Sequence, residues 1–268
     1  MGKVFIEATE VKEGRFIDAR FHLQEKEWGK SEFSKEHIEG AIYWDMEQDL
    51  SDLAKPDGRH PMPSKEQLQQ LFEQSGLTQE DHIYIYDQGG APFAARAWWM
   101  LQFANFSNVF IVNGGFEALT QAGFNRTNEV TNYPTTSLTI DWRDDIYANR
   151  EDVKQIVDGI EKAVLLDARS AVRYRGEQEP IDKVAGHIPT AINFDWEQLK
   201  EGNTLRANAE LLQKVQKNEN VVVYCGSGVT ASPLYAILAD ANYENLRLYV
   251  GSFSDWITQY DVEVGGNK

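Results

Sequence analysis

The sequence has one cysteine, Cys225, among its 268 residues. No disulfide can therefore form within the chain. A redox pair of two cysteines and a zinc site of several cysteines are excluded for the same reason. A lone unpaired thiol is compatible with a reducing compartment, so we expect the protein in the cytoplasm, and we expect neither a metal nor a cofactor.

The sequence also lacks a long hydrophobic run and is poor in basic residues. No apolar stretch approaches the ~20 residues of a membrane span, and residues 1–7 lack the apolar core of a signal peptide. Lys and Arg number 26 against 42 Asp and Glu, which gives a formal net charge of −16. Such a field repels phosphate backbones and anionic membranes, so neither nucleic acid nor a membrane is an expected partner.

The chain repeats its own landmarks in the same order. The segment 17–20 (Ile-Asp-Ala-Arg) recurs at 166–169 (Leu-Asp-Ala-Arg), and the histidine of segment 36–42 recurs in segment 186–192. Each half alternates short apolar runs with helical patterns, which predicts an α/β fold of two tandem domains. In each we expect a mainly parallel sheet with helices on both faces. The predicted boundaries are 1–126 for the first domain, 127–137 for the linker and 138–268 for the second domain.

Local signals predict three of the helices. One is capped by Ser64 with Gln67 three residues on, one starts near Asn149, and one covers roughly 208–217. The two domains are expected to pack against each other, because both carry an excess of aromatic residues such as Trp98, Trp99 and Trp256.

Cys225 follows the apolar run 221–224 directly, at the predicted carboxyl end of a buried strand. Ligands of open α/β sheets bind at this edge. Gly226 and Gly228 let the backbone turn tightly, so that N–H groups can converge on one point. A helix predicted from about Thr230 to Asn242 would turn its positive end to the sulfur and favour the thiolate. A lone cysteine is more often an inert apolar residue, but the matching loop of the first half carries Asp87, so the scaffold itself does not require sulfur.

These segments together resemble the tandem-domain rhodanese, or sulfurtransferase, family over essentially the whole chain. The resemblance is carried by the loop 225–230 (Cys-Gly-Ser-Gly-Val-Thr), by 186–189 (Gly-His-Ile-Pro), by 113–116 (Asn-Gly-Gly-Phe) and by Asp87 in the place of a first-domain cysteine. The loop is most similar to that of the 3-mercaptopyruvate sulfurtransferase branch. Thiosulfate-preferring members usually have basic residues where this chain has Gly226 and Ser227.

The resemblance implies a catalytic second domain and a non-catalytic first domain. It implies that Cys225 takes sulfur from a small anionic donor, 3-mercaptopyruvate or thiosulfate, and passes it from a persulfide to a thiol, to cyanide or to a thioredoxin-like acceptor. The residues expected to bind substrate are Gly226, Ser227, Gly228, Val229, Thr230, Arg173 and His60.

Arg173 matches the family arginine that reaches the anionic end of the donor, and its alternative is a solvated helix charge. Mercaptopyruvate enzymes often have a second arginine a few residues after a Glu-Pro pair. Here Glu179-Pro180 is followed by Ile181, Asp182 and Lys183 in a shorter segment, so Lys183 could take that place. A neutral loop would offer the thiosulfate dianion no basic partner, which favours mercaptopyruvate.

His60 resembles a first-domain histidine at the interdomain cleft, where it could relay a proton to Ser227 with Glu47 or Asp49 orienting it. Thr230 could bind the donor, cap the following helix, or do both. His37, His187 and the pairs Asp18–Arg20 and Asp167–Arg169 are expected to be structural, because they occur at matching places in both halves. Asp87 and Arg96 are also expected to be structural: backbone N–H groups would satisfy a buried Asp87 carboxylate, and Arg96 could pair with it or with the other domain.

Two other functions remain open on the sequence. A cysteine phosphatase or arsenate reductase would need an arginine six positions after the nucleophile, where Ala231 stands. A non-catalytic module could use the duplicated scaffold for binding or for sensing sulfide, although it would not need Cys225.

Overall fold

The computed structural model describes residues 2–266. The first domain contains the strands β1 (Phe5–Glu7), β2 (Arg15–Asp18), β3 (His37–Ile38), β4 (Ala41–Tyr43), β5 (Ile83–Tyr86), β6 (Val109–Asn113) and β7 (Arg126–Thr127). Its helices are α1 (Trp28–Lys35), α2 (Lys65–Gln74), α3 (Phe93–Phe103) and α4 (Gly115–Gln121). Five of the strands form a parallel sheet in the order β1-β6-β5-β2-β4, while β3 and β7 form an antiparallel pair.

The second domain repeats this arrangement. Its strands are β8 (Tyr147–Ala148), β9 (Val164–Asp167), β10 (Ile192–Asn193), β11 (Lys200–Glu201), β12 (Thr204–Leu205), β13 (Val221–Tyr224) and β14 (Leu246–Tyr249). Its helices are α5 (Arg150–Val157), α6 (Ala171–Tyr174), α7 (Ala209–Lys214), α8 (Ala231–Asp240) and α9 (Ser252–Trp256). The parallel sheet has the order β10-β9-β13-β14-β8, and β11 pairs with β12 antiparallel.

The two domains place equivalent strands at the centre of their sheets. β13 lies between β9 and β14, and β5 lies between β2 and β6. All four residues of β13 are buried, as expected for a strand covered by helices on both faces. The predicted tandem α/β fold with two helix-flanked parallel sheets is confirmed.

Side-chain caps fix where several helices begin. Ser64 accepts a hydrogen bond from the Gln67 N–H, and the Gln67 side chain accepts one from the Ser64 N–H, so a reciprocal capping box opens α2. Asn149 caps α5 in the same way. Both predicted starts are confirmed. The helix predicted to run to about residue 217 ends earlier, at Lys214, because Val215 turns into extended backbone and buries its side chain.

Two almost entirely apolar helices, α3 and α8, join the domains. Trp98 and Trp99 of α3 both contact Tyr235 of α8, with ring centroids 6.2 Å and 6.4 Å away. Trp256, which the sequence grouped with these interface aromatics, instead packs on Tyr260 inside its own domain. The interface therefore forms one continuous core across both domains.

The segment that follows β7 runs along the first domain without helix or strand as far as residue 143. Tyr133 donates a hydrogen bond to the Gly40 carbonyl, and the Arg15 guanidinium lies over its ring. The linker at 127–137 and the domain boundaries stay predictions. No helix within residues 2–266 is long and apolar enough to cross a membrane.

Candidate active site

Cys225 lies at the carboxyl end of β13, at the start of the cysteine loop, residues 225–230. Its backbone is fixed on both sides, because its N–H donates to Ser252 Oγ at 3.1 Å and its carbonyl accepts from the Phe253 N–H at 3.0 Å. The residue is buried, with 1% of its surface exposed. The start of α9 therefore holds the cysteine at the sheet edge, beneath the residues that cover the loop.

Gly228 brings a backbone donor to the sulfur. Its N–H lies 3.1 Å from Cys225 Sγ and donates to it. Its φ of +76° is one that residues with a Cβ rarely adopt, and a Cβ here would collide with the Val250 carbonyl oxygen. Gly226 has no positive φ; a Cβ there would lie 2.6 Å from Arg59 Nη2. Gly228 thus allows the turn of the backbone, and Gly226 allows the close approach of a guanidinium.

Other amides of the cysteine loop are available to an anion. In the part of the chain that the structure describes, the N–H groups of Gly226, Ser227 and Val229 donate to no protein acceptor. Thr230 stands at the start of α8, but its side chain makes no capping hydrogen bond. The interpretation of Thr230 as a helix cap is therefore wrong.

Two guanidinium groups cover the loop beside Gly226. Arg173 Nη2 lies 3.5 Å from the Cβ position of Gly226, close to Arg59 Nη2. Arg173 is mostly buried and donates to Glu179 at 2.8 Å and to Asp182 at 3.0 Å, so it is not a solvated helix charge. Arg59, from the first domain, pairs with the same Asp182. Burial lowers the pKa of Arg59, the adjacent Arg173 lowers it further, and Cys225 opposes that decrease.

The second basic group therefore comes from the other domain. Lys183, the suggested replacement for the missing arginine, is exposed on the surface. The expectation that the loop offers an anion no basic partner is wrong, because Arg59 and Arg173 both face Gly226.

His60 reaches Ser227 across the domain interface, as predicted. His60 Nδ1 lies 2.8 Å from Ser227 Oγ, and its Nε2 lies 3.8 Å from Glu47 Oε1. Of the two suggested orienting carboxylates it is thus Glu47 that faces the ring, since Asp49 accepts from the Asp45 N–H. Burial and the charges of Arg96 and Arg59 lower the pKa of His60 to about 3. The imidazole is therefore neutral at physiological pH and can orient the Ser227 hydroxyl.

Arg96 supports the cysteine loop from α3. Its guanidinium is fully buried, and its hydrogen bonds within residues 2–266 go to the backbone carbonyls of Leu50 (3.1 Å), His60 (3.2 Å) and Gly228 (3.4 Å). Burial lowers its pKa to about 10, and Cys225 opposes that decrease. Arg96 does not pair with Asp87, whose carboxylate accepts from the N–H groups of Gly89 and Ala94.

The residues expected to be structural do make matching contacts in both halves. Arg20 pairs with Asp18 and Arg169 with Asp167, each at 2.6 Å. His37 Nδ1 bonds the Phe33 carbonyl and His187 Nδ1 the Tyr174 carbonyl, and each imidazole stacks on the aromatic ring of its partner. No three His, Cys, Asp or Glu side chains within residues 2–266 form a group that could hold a metal ion.

Sequence reasoning missed two residues of the site, Arg59 and Ser252. Arg59 stands immediately before His60, but nothing in the sequence indicates that it lies beside Arg173. Ser252 occupies the place of Gly115 in the repeat and keeps the same left-handed backbone, with φ of +57°. A serine where the first half has glycine was a signal, because the added hydroxyl accepts the Cys225 N–H.

Comparison with known proteins identifies the family of this chain. The family described as Rhodanese-like domain matches residues 5–122 and 149–259. The chain belongs to this family. It is 36% identical over 261 residues to a probable 3-mercaptopyruvate sulfurtransferase of Pseudomonas aeruginosa, covering 90% of this chain and 88% of that protein. It is 35% identical over 258 residues to a putative thiosulfate sulfurtransferase of Mycobacterium tuberculosis, covering 93% and 89%.

A solved structure is similar over almost the whole chain. The 3-mercaptopyruvate sulfurtransferase from Leishmania major superposes with a TM-score of 0.84 at 29% identity, covering 97% of this chain and 75% of that one. These relatives are named as sulfurtransferases and match most of the chain, which supports a rhodanese-type sulfurtransferase. The predicted enzyme class is therefore confirmed.

Proposed function

We propose that this sulfurtransferase takes sulfur from 3-mercaptopyruvate, with thiosulfate as a poorer donor, and carries it as a persulfide on Cys225. The observation that carries the proposal is the environment of Cys225 Sγ, with the Gly228 N–H at 3.1 Å and two guanidiniums beside Gly226. A nucleophilic sulfur, a backbone donor and an anion-binding pair meet at one sheet edge. An inert packing cysteine has no need of the last two.

The transfer is a nucleophilic displacement at sulfur. The Cys225 thiolate attacks the sulfur of 3-mercaptopyruvate, an S–S bond forms, and the C–S bond breaks. The bonding electrons leave with the carbon fragment as the enolate of pyruvate, which takes a proton to give pyruvate. With thiosulfate the leaving group is sulfite. The terminal sulfur of the persulfide then accepts hydrogen bonds from the free amides of the cysteine loop, residues 225–230. These amides stabilise its negative charge in the same way that an oxyanion hole stabilises an oxyanion.

The remaining predicted residues hold the donor. Arg173 binds the anionic end, because a guanidinium fork matches a carboxylate. Gly226, Gly228 and Val229 contribute backbone N–H groups, and Thr230 lies at the end of the loop. Neutral His60 orients the Ser227 hydroxyl, which donates a hydrogen bond to the sulfur donor or to the persulfide. His60 is neutral and not an imidazolium at physiological pH, since its pKa lies at about 3.

A second molecule discharges the persulfide. The acceptor is a thiol, cyanide or a thioredoxin-like protein, and nucleic acid is not a partner because of the net charge of −16. The cytoplasm remains the predicted location, on the grounds of the single unpaired cysteine.

Mass spectrometry of the intact protein tests the persulfide. Incubation with 3-mercaptopyruvate should add one sulfur atom, located on Cys225 by peptide mapping, and Cys225→Ser should gain none. A chain that acquires no sulfur from either donor would favour the non-catalytic binding module.

Steady-state kinetics test the donor preference. We expect a higher kcat/KM for 3-mercaptopyruvate than for thiosulfate, because Glu179 and Asp182 offset the charges of Arg173 and Arg59 and leave little net positive charge for a dianion. Arg173→Ala should raise KM for both donors. A wide margin in favour of thiosulfate would overturn the donor assignment.

A further inference from the structure

We infer that Arg59 and Arg173 together form the subsite for the donor's carboxylate, and that Asp182 occupies this subsite until the donor displaces it. The inference rests on the proposed function, because it names the groups that bind the anionic end of that donor. It adds a specificity-determining residue from the first domain and an internal competitor from the second.

The contacts of Asp182 place a carboxylate between the two guanidiniums. Its Oδ1 pairs with Arg59 Nη1, and its Oδ2 accepts from Arg173 Nη2 at 3.0 Å. Only 3% of the Asp182 side chain is exposed. Both guanidiniums lie against Gly226, the residue next to the nucleophile. A carboxylate held there has the chemistry and the position that an α-keto acid donor needs for its own carboxylate.

Charge balance indicates that Asp182 competes with the donor. Arg59, Arg173 and Arg169 carry three positive charges, and their partners Asp182, Glu179 and Asp167 carry three negative ones. The paired cluster therefore offers an incoming anion no net positive charge. Once Asp182 leaves, one positive charge is free for the donor's carboxylate.

Of the two carboxylates, Asp182 is the one that can leave. Glu179 accepts from Arg173 at two atoms and also from the N–H groups of Ile181 and Asp182, so it holds the turn together. Asp182 belongs to a stretch without helix or strand, and the apolar side chains of Ile181 and Val184 beside it are exposed. Apart from the Asp182 ion pairs, few buried contacts hold this stretch, which favours local opening.

Alkylation of Cys225 tests the subsite without sulfur transfer. Cys225 is the only cysteine, and its thiolate displaces iodide from iodoacetate, an anion, or from iodoacetamide, its neutral analogue. The ratio of the two rate constants measures how well the site receives a carboxylate. We expect Asp182→Asn to raise this ratio about tenfold and Arg59→Gln to lower it about tenfold, the effect of one charge-assisted contact.

Donor kinetics should follow the same signs. KM for 3-mercaptopyruvate falls in Asp182→Asn and rises in Arg59→Gln. Matched controls are Glu177→Gln and Arg175→Gln, which make the same charge changes in an exposed ion pair close in sequence. Opposite shifts in the two site variants cannot arise from a general loss of folding.

The outcomes separate this inference from the proposed function. If the site variants match their controls in both alkylation ratio and KM while wild-type Cys225 still gains sulfur, the subsite assignment is overturned and the function stands. If no donor loads Cys225 but the alkylation ratio shifts in opposite directions, the carboxylate subsite stands and the proposed donor reaction fails.

Discussion

At the scale of single residues, Gly228 combines a left-handed backbone with the donor to the Cys225 sulfur. Gly228→Ala should cost about 1–3 kcal/mol of unfolding free energy from backbone strain. It should also abolish persulfide formation, since the Cβ would push the loop away from the Val250 carbonyl. Urea denaturation and intact mass after exposure to the donor measure the two effects.

The matched control for this prediction is Gly159→Ala. Gly159 has a φ of +73° but nothing within 4 Å of its Cβ position, so it reports the backbone cost alone. Equal stability losses in the two variants, with sulfur loading intact in both, would contradict the role given to Gly228.

The residues within one motif were the ones that the sequence could predict. Cys225 and its glycines stand together, and the broken symmetry with Asp87 distinguishes the two halves. Arg59 could not be predicted as a neighbour of Arg173, because that contact depends on how one domain packs on the other. The structure brings His60 to Ser227 as expected, while the catalytic roles of these residues remain predictions.

At the scale of elements, α3 ties the first domain to the cysteine loop through its one charged residue, Arg96. Arg96→Lys keeps the charge but cannot reach the carbonyls of Leu50, His60 and Gly228 at once. We expect it to lower the unfolding free energy by about 1–3 kcal/mol, because buried carbonyls lose their donors. Arg143→Lys, in a half-exposed ion pair, should leave it unchanged within about 0.5 kcal/mol. Equal unfolding free energies of Arg96→Lys and Arg143→Lys would contradict this role of Arg96.

The elements that were predicted are those with a local signal. A fully apolar run gave β13, and capping residues gave the starts of α2 and α5. Strands of two residues, such as β8 and β10, carry no periodicity and exist only because a neighbouring strand pairs with them. Tertiary pairing, and not local sequence, defines such elements.

At the scale of the whole molecule, the domain interface makes stability depend on pH through His60. Its pKa is about 3 in the folded protein and about 6.5 in an unfolded chain. Between these values the unfolded state binds the extra proton, so His60 lowers stability as pH falls, by up to about 1.4 kcal/mol per pH unit.

Denaturation at several pH values between 4 and 7 checks this expectation. The unfolding free energy of His60→Gln should fall less steeply with acidification than that of the wild type. His82→Gln removes an exposed histidine from the same domain and should reproduce the wild-type slope. A His60→Gln slope indistinguishable from wild type would mean that the interface accommodates the imidazolium.

The single sulfhydryl of the chain limits how a sulfur atom bound to Cys225 could leave the protein. A protein with a second nearby thiol could release the bound sulfur by forming an internal disulfide, but this chain has no second cysteine to pair with Cys225. On the proposed mechanism, each turnover must therefore wait for an outside reductant or nucleophile. Without one, the protein would act as a stoichiometric reservoir that holds one sulfur equivalent per polypeptide.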